Sequence, residues 1–198
     1  MRASRHLVLF VRAPRYGAGK TRLARGIGTL EAWRFQRGEI FRLARQLGRD
    51  ARWRTVLAVT PDAYARTGSA LPRGLARRAQ GPGDLGRRMA RCLRALPPGP
   101  RLLVGADIPA LDPRHIAQGF AALGNAEAVF GPARDGGFWL VGVRGVRLLS
   151  SLFSGVVWSE GRTLEQTLAN LPKGTRYALL DELADVDEAA DRASARGR

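Results

Sequence analysis

Cysteine is nearly missing from this sequence: Cys92 stands alone among 198 residues. That excludes an internal disulfide and a cysteine-based metal cluster. It leaves Cys92 to be a small buried side chain on a helix. Lysine is almost as scarce. Of 33 Lys plus Arg, Lys20 and Lys173 are the lysines, so the formal charge of +16, set against 17 Asp plus Glu, is carried by arginine. The arginines are scattered along the chain. There is no dense basic tail, and no zinc-finger, homeodomain or aromatic-basic RNA-binding pattern. Such a balance favours anionic ligands without selecting a polymer, so no specific nucleic-acid partner is expected. Histidine is limited to His6 and His115. Neither has a second His or a Cys at ligand spacing, so both read as structural or exposed. No apolar run approaches the ~18 residues of a membrane span. The run LVLFV that follows His6 is too short for a signal peptide, and the chain is expected to be cytoplasmic. No GxSxG elbow is present, which removes support for a serine triad.

What is present is an ordinary globular composition, 45% apolar. The length suits one well-buried core, so residues 1–198 are read as one domain, with a frayed tail from about residue 192. Strands and helices alternate. His6–Val11, Thr55–Val59, a short piece near Leu75–Ala79, Arg101–Asp107, a strand ending at Phe130, Phe138–Val143 and RYALL read as strands. Helices are expected over Leu30–Leu47, Asp84–Leu96 with Asp84 as N-cap, a segment starting at Asp112-Pro113, Arg162–Leu171, and the terminal DVDEAADRA. Several strands are continuous apolar runs. That predicts an α/β fold with a mostly parallel central sheet and helices on both faces. Ligands of such sheets bind beyond the C-terminal strand ends.

The densest chemical signal lies at such an end, in RAPRYGAGKTR. Gly17, Gly19 and Ala13 leave the backbone free to curve around an anion. Lys20 and Arg22 can grip phosphate oxygens, Thr21 adds a hydroxyl, and Arg12 and Arg15 raise the potential. The sequence GKT does not complete a Walker A loop, because Pro14 stands where its first glycine should be. The dinucleotide fingerprint fails as well, with Arg22 in place of the third glycine. A second loop, QGPGD, offers Gln80, Gly81, Gly83 and Asp84 to a base or sugar.

The acidic positions supply the rest. Asp107 ends the most apolar strand and suits a divalent ion bridging phosphate oxygens, Mg²⁺ or Mn²⁺; a turn-forming Asp before Pro109 is the plainer role. Asp135, in RDGGFW, can be an acceptor-side ligand, a base, or the first residue of a tight turn. Among Asp181, Asp185 and Asp187, one can complete the metal site, and Asp187 is equally a natural N-cap. Trp158 and Ser159 are placed to line an acceptor pocket. Of Phe138 and Trp139, adjacent on a strand, one belongs to the core.

Six blocks, from LVLFVRAPRYGAGKTRLARGIG through QGPGDLGRRMARCL, LLVGADIPALDPRHI, VFGPARDGGFWLVGV and VVWSEGRTLEQTL to LLDELADVDEAAD, resemble in order a bacterial family of uncharacterised transferases. The resemblance runs from Leu7 to about Asp191. That family has the glycosyltransferase A (GT-A) type nucleotide-diphospho-sugar transferase fold, and its members are often labelled as glycosyltransferases of arsenosugar synthesis. It is distantly similar to phospholactate guanylyltransferases, which share a KxRL loop. The resemblance implies that Lys20 and Arg22 hold donor phosphates and that Asp107 binds metal. It also matches Asp187 to the second Asp of a late DVDTPEDL-like segment, here DVDEAAD, and Glu160 stands where a PWST pattern has Thr. The resemblance also matches Asp135 to Trp139 to an acceptor-side strand. The implied activity is metal-dependent glycosyl transfer from a nucleotide-sugar to a small-molecule acceptor. On chemistry, Asp135 is the carboxylate expected to orient or deprotonate the acceptor. Nucleotidyl transfer from a triphosphate to a phosphorylated small molecule is the alternative, and a non-catalytic nucleotide-binding protein is the third.

Overall fold

The computed structural model describes residues 4–67, 70–158 and 160–184. A seven-stranded sheet runs through the middle, built from β1 (His6–Arg12), β2 (Arg54–Thr60), β3 (Ala76–Ala79), β4 (Arg101–Gly105), β5 (Ala128–Pro132), β6 (Phe138–Val143) and β7 (Tyr177–Leu179). Their order across the sheet is β3-β2-β1-β4-β6-β5-β7. Four neighbouring pairs are parallel as expected, but β6 lies antiparallel to both β4 and β5. The sheet is therefore mixed. Residues 133–137 join β5 to β6 as a hairpin, a link too short for a parallel crossover, which takes about a dozen or more residues. Because β6 runs backwards, the hairpin turn comes to the same edge as the C-terminal ends of β1 and β4.

Side-chain alternation fills both faces. Leu7, Leu9 and Val11 of β1 join Leu57, Val59, Leu102 and Val104 under α2 (Thr29–Gly48) and α5 (Pro113–Ala122). Val8, Ala58, Leu103, Phe130 and Val141 point the other way, toward α4 (Leu85–Arg94) and the partly buried Leu164 and Leu168 of α6 (Thr163–Ala169). Cys92 is buried on α4, where desolvation pushes its thiol up to about 11. Helix starts follow local chemistry. Asp84 accepts from the Arg87 backbone N–H at 2.8 Å. Asp112 and His115 form a reciprocal capping box ahead of α5.

Three short helical pieces escape the sequence reading: α1 (Thr21–Ile27), α3 (Tyr64–Thr67) and a 3₁₀ turn over Arg147–Ser150. α1 has no side-chain cap and no acidic residue in its first turn, so it lacks the usual start signal. The expected terminal helix and tail lie outside the described residues. Among the described residues no helix is long and apolar enough to cross a membrane.

Candidate functional site

The chain leaves β1 at Arg12 and enters a loop fastened at both sides. The Ala13 N–H donates to the Thr60 carbonyl at 2.8 Å, and the Trp33 indole N–H of α2 donates to the Pro14 carbonyl at 3.3 Å. The loop then turns through positive φ at Gly17 (+73°) and Gly19 (+115°). Lys20 follows in the left-handed region at φ 48°. For a residue with a Cβ this conformation costs about 1–2 kcal/mol, and such outliers gather at functional sites. What Lys20 gains is position. Its side chain is only 6% exposed, and its ammonium lies 3.0 Å from Asp107 Oδ2.

Asp107 arrives from the end of β4, and the turn behind it is held from α2. The Arg42 guanidinium donates to the Ile108 and Leu111 carbonyls at 3.1 and 2.9 Å, and Glu39 holds Arg42 at 2.7 and 3.0 Å. In the sequence these two are indistinguishable from any polar helix positions. Around the Lys20–Asp107 pair opens a polar cavity of about 340 Å³, lined by Arg12, Gly19, Lys20, Thr21, Arg22 and Gln36 with Asp107. Gln36, buried on α2, is a member that sequence reasoning missed; a polar residue on an otherwise apolar helix face was its signal.

Two members expected in this loop do not line the cavity. Ala13 is wholly buried in the core, and Gly17 sits at the exposed tip, where a Cβ would meet nothing. The QGPGD loop is also placed differently from expectation. Gln80 is fully buried and its amide points inward: Nε2 donates to the Val11 and Ala58 carbonyls, each at 2.9 Å, while Oε1 accepts from Arg88. Both amide donors are thus used, and full burial keeps the remaining lone pair on Oε1 from reaching a base. The Gly81 N–H is bound by Asp62, Gly83 packs on Arg87, and Asp84 caps α4. None of the four lines either cavity of this site. They tie the ends of β1 and β2 to α4.

A second cavity, about 310 Å³, opens on the other side of Asp107. Leu85 and Met89 of α4 and the aromatic rings of Phe138 and Trp158 form much of its wall, and Asp135 stands at its rim. Phe138 and Trp158 meet edge-on, 6.4 Å between centroids. Asp135 Oδ1 accepts from the Gly137 N–H at 2.9 Å, so the tight-turn role holds whatever else the carboxylate does. Gly136 (φ +79°) abuts the Gly161 backbone so closely that no Cβ would fit. That contact locks the hairpin turn to the segment before α6, where the Leu164 N–H donates to the Gly136 carbonyl. Trp139 is the core member of its pair, 3% exposed, with its indole N–H on the Asp181 carbonyl. Leu183 then bridges to Ala133, carrying the chain past the hairpin. Ser159, Asp185 and Asp187 lie outside the described residues.

Among the described residues no three His, Cys, Asp or Glu cluster as a metal site. Among the described residues Asp107 is the carboxylate that lines the basic cavity. That donor set fits Mg²⁺ or Mn²⁺ bound jointly by a carboxylate, phosphate oxygens and water, and does not fit an all-protein cage.

A profile of the family described as "Uncharacterized protein conserved in bacteria (DUF2064)" matches residues 43–160. The chain belongs to this family. The DUF2064 match contains Asp107, Asp135 and Trp158 and begins after the basic loop. No curated protein matches the chain. Among solved structures, a Desulfovibrio desulfuricans protein described as a candidate nucleotide-diphospho-sugar transferase superposes with a TM-score of 0.80 at 22% identity, covering 94% of this chain and 83% of its own. The 4-diphosphocytidyl-2C-methyl-D-erythritol synthase of Anaerococcus prevotii gives 0.62 at 12%, over 99% and 95%. Rv0371C of Mycobacterium tuberculosis, in complex with manganese, gives 0.59 at 16%, over 100% of both chains. At these identities the likeness is one of fold: this DUF2064 chain has a GT-A-like α/β architecture.

Proposed function

We propose that this protein is a metal-dependent transferase that takes a nucleotide donor in the basic cavity and passes a group to a small-molecule acceptor. The observation that carries the reading is the Lys20–Asp107 pair. It holds a phosphate-binding cation and a metal-binding carboxylate together at the C-terminal edge of the sheet, between two cavities. Lys20, Arg22 and Arg12 would bind the donor phosphates and stabilise the charge that grows on them as the leaving group departs. Asp107 would hold Mg²⁺ or Mn²⁺, which when bound supplies Lewis-acid neutralisation of the phosphates. Asp187 is proposed as its second carboxylate. Asp135 would orient the attacking hydroxyl and accept its proton.

Glycosyl transfer from a nucleotide-sugar is the favoured reaction. It agrees with the name given to the Desulfovibrio protein and with the glycosyltransferase label of the family resembled in sequence. Nucleotidyl transfer is the second reading, favoured by three cations around one cavity, a charge suited to a triphosphate. We place the reaction in the cytoplasm.

Calorimetric titration of UDP- and GDP-sugars against GTP and CTP, with and without Mg²⁺ or Mn²⁺, separates these. Metal-dependent binding of a sugar nucleotide, lost at least tenfold in Asp107→Ala and in Lys20→Ala/Arg22→Ala, is the expected outcome. Preference for a triphosphate moves the assignment to nucleotidyl transfer, and no binding of any nucleotide overturns the donor site.

A further inference from the structure

The second cavity carries information about the acceptor that the basic loop does not, and it concerns charge. The chain has 33 Lys plus Arg and a net charge of +16, so a cavity placed at random on it should meet a guanidinium. Among the described residues, this one meets none. Its charged lining consists of Asp107 and Asp135, and the remainder is mostly apolar or aromatic. Arginines that stand near it are engaged by other groups and are not on its lining. Arg88, on α4 beside the lining residues Leu85 and Met89, donates to Gln80 and lies 5.5 Å from the ring of Phe10, itself a lining residue. Arg134, next to Asp135, lies 3.6 Å from Glu182. Arg162, between the lining residues Gly161 and Thr163, is held by Glu165 at 3.0 Å. Phosphate and carboxylate groups are recognised by guanidinium forks, ammonium groups or backbone nests. A dianionic phosphate inside this cavity would find no cation on the lining and would face the Asp135 carboxylate, while Asp107 is already paired with Lys20 at 3.0 Å.

Resting on the transferase reading above, we infer that the acceptor is an uncharged hydroxyl compound with an apolar face, and that phosphorylated acceptors are excluded. The aromatic edge of Phe138 and Trp158 supplies a surface for the apolar face. Asp135 meets the hydroxyl. The volume, near the lower end of ligand pockets at ~300–1,000 Å³, limits the acceptor to a small molecule. The same charge pattern opposes nucleotidyl transfer to a phosphate oxygen, since that reaction needs an anionic acceptor in this position.

Trp158 and Trp139 both line the cavity, so tryptophan fluorescence reads its occupancy. The probes are phenyl β-D-glucopyranoside and its 6-phosphate, titrated with saturating inorganic pyrophosphate filling the basic cavity, with and without Mg²⁺. The glucoside should quench saturably, and its 6-phosphate should bind at least about tenfold more weakly. Asp135→Asn keeps the Oδ1 acceptor for the Gly137 N–H and should narrow that gap several-fold. Trp158→Ala should weaken the glucoside about fivefold or more. A 6-phosphate that binds as well as the glucoside, or a glucoside that does not bind, overturns the inference. Calorimetry with pyrophosphate alone reads the donor site separately: absence of heat there counts against the nucleotide assignment and leaves the ratio between the two glucosides to decide the acceptor.

Discussion

Lys20 shows how one residue can be both legible and misread. Its chemistry was plain from RAPRYGAGKTR, a lone lysine among arginines beside two glycines. Its conformation was not, because left-handed backbone at a non-glycine residue is set by what the side chain reaches, here Asp107 across the sheet edge. Gln80 errs in the opposite direction. A glutamine in a glycine-rich loop looks available, and only the tertiary structure shows its amide turned inward onto two strands. His6 adds a pH dependence of its own. Burial lowers its pKa, with help from Arg101 and Arg54 and against the Pro98 carbonyl, and Nε2 meets no partner among the described residues. The folded state therefore takes up fewer protons here than the unfolded chain. Stability from this group is complete above an unfolded value of about 6.5 and falls as the pH drops below it toward the lowered folded value. His6→Gln should flatten that acid limb. Urea midpoints of the two proteins at pH 7.5 and pH 5 test it, and an unchanged difference between the two pH values would show His6 to be silent.

At the level of elements, several strands were legible as continuous apolar runs, whereas β3, with the sequence ARRA, is not one. The direction of β6 was missed, although its short link was the signal. Five residues cannot make a parallel crossover; what only the tertiary structure shows is that the Asp135–Gly137 turn packs on Gly161. α1 escaped because it begins without a cap. The QGPGD segment joins β1, β2 and α4, and this has a measurable cost. Gln80→Leu removes two buried donors and strands the Arg88 guanidinium, so unfolding free energy should fall by about 3 kcal/mol. Nucleotide affinity should change by less than twofold if stability remains adequate. A large loss of affinity in a variant that is still folded would restore Gln80 to the ligand site.

Over the whole molecule, the excess of arginine and the acidic second cavity divide the surface into regions of opposite preference. An anionic donor is drawn by the summed field as well as by its contacts, and that long-range part is screened over about 10 Å at 0.1 M salt. Raising NaCl from about 50 to about 300 mM should weaken nucleotide binding roughly tenfold and leave the neutral glucoside within about twofold. Parallel loss of both would mean that the two cavities do not differ in charge as their linings indicate.

α2 touches both halves of the basic cavity's frame. Trp33 fixes the Pro14 carbonyl, Gln36 lines the cavity, and Arg42 clasps the turn behind Asp107, three points spread along roughly 13 Å of helix. The spacing between cation and carboxylate is thus set by a rigid rod rather than by the loop. For protein engineering this makes the loop a poor graft by itself. Moved onto another sheet without its helix, RAPRYGAGKTR would bring the cation but not the ruler that spaces it, whereas a transplant of residues 12–48 keeps both and still needs a host carboxylate at the strand end where Asp107 stands.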